Sequence, residues 1–77
     1  EVEGLDVFPN PATNQWTITS EKTNITMVEL FDLQGKRLLA IQPTTDKVVI
    51  NALDFPNGVY ISKVYTDLGV KSLKLVK

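Results

Sequence analysis

Apolar side chains recur at every second position in short runs along most of this chain. Gln15–Ser20 sets Trp16, Ile18 and Ser20 on one side and Gln15, Thr17 and Thr19 on the other, the pattern of a half-buried strand. Leu5–Phe8 places Leu5 with Val7, and Lys47–Ile50 places Val48 with Ile50. In Thr26–Leu33, Val28 and Leu30 oppose Met27, Glu29, Phe31 and Leu33, so both faces carry apolar residues. A strand of that kind is central in its sheet, or bulged near Phe31-Asp32. Arg37–Gln42 follows across the hairpin turn Gln34-Gly35-Lys36. Two further runs, Val59–Thr66 and Val70–Val76, flank Asp67-Leu68-Gly69, which reads as a three-residue hairpin connection with Gly at positive φ.

The intervening stretches carry turn chemistry. Pro9-Asn10-Pro11 forms a stiff corner, because neither proline can donate to a ladder and each holds its predecessor extended. Glu21–Ile25 is polar and turn-like, Pro43–Asp46 is a loop, and Asn51–Asn57 links the fifth run to the sixth through Pro56-Asn57-Gly58. Short strands recurring about every 11 residues, with no sustained helical period, predict an all-β domain. The reading is a small immunoglobulin-like β-sandwich of about seven antiparallel strands. It spans residues 1–77 as one domain, with Glu1–Gly4 the end of a linker. Trp16, Ile18, Val28, Leu30 and Tyr60 are its expected core.

Composition narrows the chemistry. A hydrophobic share of 43% supports a packed core rather than disorder. The chain has no Cys and no His, which removes disulfides, thiolate nucleophiles, the commonest transition-metal ligand and the usual neutral-pH base. Ser20, Ser62 and Ser72 therefore have no His to activate them, and no cofactor is implied. Asp46, Asp54 and Asp67 lie in loops without the spacing of a calcium loop, and read as turn caps. Trp16 alternates with Ile18 and reads as core rather than as a sugar-stacking platform. Asn24-Ile25-Thr26 matches a glycosylation sequon, a pattern frequent by chance.

Charge is unevenly placed. Residues 1–32 carry six acids against Lys22, a net of −5, and residues 33–77 carry seven bases against three acids, a net of +4. Lys71, Lys74 and Lys77 alternate between faces of an extended strand and make no stripe for a phosphate backbone, so nucleic acid is not an expected partner. No run of about 18 apolar residues and no signal-peptide pattern is present, so an exported protein would contain this stretch as a fragment.

Four blocks, Val7–Asn14, Val28–Lys36, Leu53–Tyr60 and Gly69–Lys77, together resemble the C-terminal sorting domains of the type IX secretion system of Bacteroidota. Val7-Phe8-Pro9-Asn10-Pro11-Ala12-Thr13-Asn14 resembles the opening block, with Phe8 where Tyr is usual. Val28–Lys36, ending Asp32-Leu33-Gln34-Gly35-Lys36, resembles the second. Leu53 through Gly58-Val59-Tyr60 resembles the third, and Gly69–Lys77, with Lys74 before Leu75-Val76, the terminal one. A charged Lys77 stands where some members end on an apolar residue.

The resemblance implies an address label on a larger cargo N-terminal to it in the same chain. The label would be read by the secretion machinery at the outer membrane and removed by a sortase-like surface protease, with the cargo joined to lipopolysaccharide or released. The domain would catalyse nothing and would not itself span a membrane. Lys71, Lys74, Leu75, Val76 and Lys77 are the expected recognition residues, because a terminal strand at a sheet edge can be captured by strand addition. Pro9, Asn10, Pro11, Asp32, Gly35, Lys36, Leu53, Gly58, Tyr60 and Gly69 are the signature positions, and the glycines, prolines and Tyr60 also have backbone and packing roles of their own. An accessory β-sandwich binding carbohydrate or protein beside a catalytic domain is the alternative. Position separates the two: a sorting domain ends its parent, whereas an accessory module can lie anywhere.

Overall fold

The computed structural model describes residues 4–9, 14–43 and 45–77. Seven strands run in chain order: β1 (Leu5–Phe8), β2 (Gln15–Ser20), β3 (Ile25–Phe31), β4 (Arg37–Ile41), β5 (Lys47–Asn51), β6 (Val59–Thr66) and β7 (Gly69–Val76). They form a three-stranded sheet in the order β1-β2-β5 and a four-stranded sheet in the order β4-β3-β6-β7, every pair antiparallel. The constant-type immunoglobulin arrangement sets the fourth strand beside the fifth. Here the fourth pairs with the third instead.

The alternation of apolar positions builds the core between the two sheets. Trp16, Ile18, Val28, Leu30 and Tyr60 are all buried, as expected, and Val48, Ile50, Val64 and Leu75 complete the layer. Two core residues come from stretches read as turn or linker. Ile25 opens β3 and is held by its amide to the Thr45 carbonyl (2.8 Å), while Ala52 is anchored by its amide to the Asn14 carbonyl (2.8 Å). Each lies in a polar run, so no local pattern marks its burial.

β3 is both central and bulged. Its register shifts at Leu30/Phe31 against β4 and at Ile25/Met27 against β6. The strand stops at Phe31, two residues short of the expected end, because Asp32 begins the turn. The β6–β7 connection is also tighter than expected. Thr66 pairs with Gly69, leaving two residues in the loop rather than three. The Thr66 hydroxyl closes it, accepting from the Leu68 amide at 3.1 Å, and Gly69 takes φ +133°, a conformation open to glycine.

Candidate functional site

Strand directions place a described part of each of the four sequence blocks at one end of the sandwich. β1, β3, β5 and β7 all finish there, and β2, β4 and β6 all start there. The Pro9 corner, the Asp32–Lys36 turn, the Ala52–Gly58 loop and residues 75–77 are therefore neighbours at this pole. The segment entering β1 lies at the opposite pole, where the Gly4 carbonyl accepts the Glu21 amide (3.0 Å). Gly69 is at that far pole too. Asn10 and Pro11 lie outside the described residues.

The Asp32 turn shows why its sequence reads as it does. Asp32 Oδ1 accepts the amides of Gln34 (2.9 Å) and Lys36 (3.0 Å), and its backbone pairs with Lys36 and Gly35. Gly35 sits at φ +89°. The carboxylate and the glycine thus fold the turn, and Lys36 stays exposed. Beside it, Phe31, Asp32, Leu33, Gly35, Ile61 and Lys63 line an open groove of about 350 Å³. Of the aspartates read as caps, Asp67 accepts the Thr23 hydroxyl (3.5 Å) and Asp46 the Thr45 hydroxyl (3.4 Å). No three or more His, Cys, Asp or Glu cluster to hold a metal among the described residues.

The third and fourth blocks interlock. Tyr60 buries its ring edge-on to Trp16 (centroids 5.7 Å apart) and tilted against Phe55 (5.8 Å), while its hydroxyl donates to the Pro56 carbonyl. Trp16 is fully buried and donates Nε1–H to the Val76 carbonyl (3.1 Å), so its ring is no sugar platform. Beyond β7, the Lys77 amide donates to Gly58 O (2.8 Å) and the Gly58 amide to Lys77 O (3.0 Å). The Lys77 ammonium donates to the Phe55 carbonyl (2.6 Å). Leu53, at 64% exposed, contributes no core packing.

β7 is an edge strand of the four-stranded sheet. Because Gly58 and Lys77 exchange both backbone bonds, the antiparallel alternation turns the backbone groups of Val70 and Ser72 away from β6, toward the open edge. Lys71 and Lys74 are exposed and Val76 and Lys77 half-buried. Leu75 is fully buried, so in the folded domain its side chain is a core residue and not a contact surface.

Sequence reasoning missed a polar ladder on the outer face of this sheet. Glu29 Oε1 accepts the Tyr65 hydroxyl (2.6 Å) and Oε2 the Arg37 guanidinium (3.2 Å). Tyr65 donation, reinforced by Arg37, holds the Glu29 carboxyl below its ordinary range against the opposing effect of desolvation. The same bond pushes the Tyr65 hydroxyl up. Lys63 lies over the Phe31 ring, 5.3 Å from its centroid. The registers of β3 with β6 and with β4, invisible in sequence, join these groups.

The profile of the family described as "Secretion system C-terminal sorting domain" matches residues 6–77. The chain belongs to this family. The resemblance of the four blocks to type IX sorting domains is thereby borne out. Among solved structures, the sorting domain is similar to a chain from the structural and functional probing of PorZ, described as an essential bacterial surface component of the type-IX secretion system of Porphyromonas gingivalis. Identity is 25% and the TM-score 0.78, over 95% of this chain and 11% of that one. The domain thus corresponds to a small part of the PorZ chain. No curated protein matches it significantly.

Proposed function

We propose that this sorting domain is a non-catalytic secretion signal that directs a cargo on its N-terminal side through the type IX translocon, across the outer membrane, to the cell surface. A sortase-like surface protease then cuts on the N-terminal side of the domain, and the cargo is anchored to lipopolysaccharide or released. Family membership over residues 6–77 carries this reading. The geometry supports it: Gly4, which leads into β1, lies at one pole, and Pro9, the Asp32–Lys36 turn, the Phe55–Gly58 loop and residues 76–77 lie at the other.

Within that function, Lys71, Lys74, Val76 and Lys77 are the recognition residues. The machinery pairs with the β7 edge by strand addition and reads the exposed lysines, while Leu75 holds the strand against the core. A reporter carrying this chain at its C-terminus tests the proposal in a type IX-competent bacterium. The reporter is expected outside the cell, and retained when the translocon is deleted. Lys74→Glu is expected to impair export with stability changed by no more than about 0.5 kcal/mol, since Lys74 is exposed. Normal export of that variant would remove Lys74 from the recognition set.

A further inference from the structure

Among the described residues of the signature pole, one densely bonded part is not a turn of its own but a joint between two distant segments. Five polar contacts converge there. Gly58 and Lys77 exchange two backbone hydrogen bonds, the Lys77 ammonium reaches the Phe55 carbonyl, Trp16 reaches the Val76 carbonyl, and Tyr60 reaches the Pro56 carbonyl. The first four fix residues 76 and 77 directly. The Tyr60 bond fixes the loop that receives them, and the Phe55 and Trp16 rings brace Tyr60 from two sides.

We propose that the Phe55–Gly58 loop is a clamp that holds residues 76 and 77 in the line of β7, and that Tyr60 is a positioning residue for recognition of that strand. The inference rests on the export reading above. Strand addition needs an edge already extended and in register, because a frayed strand must first be ordered at an entropic cost. β6 supplies that order along β7. At Lys77 the ladder passes beyond the last residue of β7, and the loop supplies the partner. Lys77 accordingly acts in part as a latch: its ammonium is committed to Phe55, with its stem half-buried, rather than presented wholly to a partner.

The test uses Tyr60→Phe, which deletes the hydroxyl bond and keeps the ring between Trp16 and Phe55, together with Lys77→Met, which deletes the ammonium and keeps the stem. In Tyr60→Phe the Gly58 and Lys77 amides are expected to exchange about fivefold faster, the effect of losing one net hydrogen bond, while β3 amides keep their protection. Export of the reporter falls in each single variant. The double variant exports no worse than the weaker single one, because both break one device. Lys77→Arg, which keeps a cationic donor, exports as the parent does. Unchanged Gly58 and Lys77 exchange in Tyr60→Phe would overturn the clamp. So would normal export despite faster exchange, or independent multiplying losses in the double variant, which would mean that Lys77 acts on export separately from the loop that Tyr60 braces. A parent chain that fails to export its reporter brings down the export reading and the clamp together; the other failures leave that reading intact.

Discussion

Trp16 and Glu29 show how one side chain can serve packing and polarity together. Trp16 is completely buried, yet its only polar atom is satisfied by Val76, on a strand of the opposite sheet. Trp16→Ala is expected to cost about 3–5 kcal/mol, and Trp16→Phe, which mainly loses the bond, much less. Denaturant titration measures both, and equal costs would mean that the ring volume is irrelevant. Ser62 is the converse case, with a fully buried hydroxyl that finds no partner among the described residues. Ser62→Ala is expected to be neutral or stabilising by about 1 kcal/mol, because it removes a desolvated group that gains nothing. Glu29 is held below its ordinary 4.5, chiefly by Tyr65, so its contribution to stability is complete above that pH and disappears as pH falls through the folded-state value. Tyr65 is raised above 10.0, so its contribution is complete below that pH and lost as pH climbs through the folded-state value. The stability difference between the parent and Tyr65→Phe should therefore hold level from about pH 5 to pH 9 and shrink outside it. A difference that stays constant down to pH 2 would disprove the coupling.

Among the elements, the Asp32–Lys36 turn and the β6–β7 hairpin were legible to different degrees. A hairpin around Gly35 follows from its sequence, but the dual acceptor role of Asp32 does not, since the alternation leaves it in doubt whether Asp32 belongs to strand or turn. The pairing runs past the bulge at Leu30/Phe31 to Phe31, opposite Arg37 and Ile61, and stops there, which leaves Asp32 to the turn. Asp32→Ala is expected to cost about 1–2 kcal/mol, as two turn amides lose their acceptor. Gly35→Ala is expected to cost about 1–2 kcal/mol for a different reason: a Cβ there meets nothing within 4 Å, so the cost is the positive φ alone. Thermal melts of both variants check these values, and Gly35→Asn, which tolerates that conformation better, should recover part of the loss. At the β6–β7 hairpin the two strands were legible from alternation, whereas the loop length was not, because Gly69 serves as a strand residue and a turn residue at once.

In the whole molecule, what alternation could reveal was the set of strands and most of the core, because the period of two is a local property of backbone geometry. What it could not reveal was partnership. Ile25 and Ala52 are buried by neighbours distant in sequence, the Glu29–Tyr65 bond depends on register, and the meeting of the Asp32–Lys36 turn, the Phe55–Gly58 loop and residues 76–77 at one pole depends on the order of strands. The same non-local wiring decides how residues 75–77 can be probed. Deleting them removes a fully buried Leu, leaves the buried Trp16 Nε1–H without its acceptor, and strips Gly58 of both backbone bonds. Losing the Leu side chain alone is worth about 2–5 kcal/mol, and an orphaned buried donor about 1–3 more. Small domains hold about 5–15 kcal/mol in total, those of this size toward the lower end. The truncated domain is therefore expected to be largely unfolded at 25 °C, with Trp16 emission shifted toward that of a water-exposed indole. A truncated domain that keeps the parent's denaturation midpoint would refute the structural role of these residues. If it unfolds as expected, loss of export on truncation reports on folding, and recognition at β7 has to be read from Lys74→Glu, which leaves the core in place.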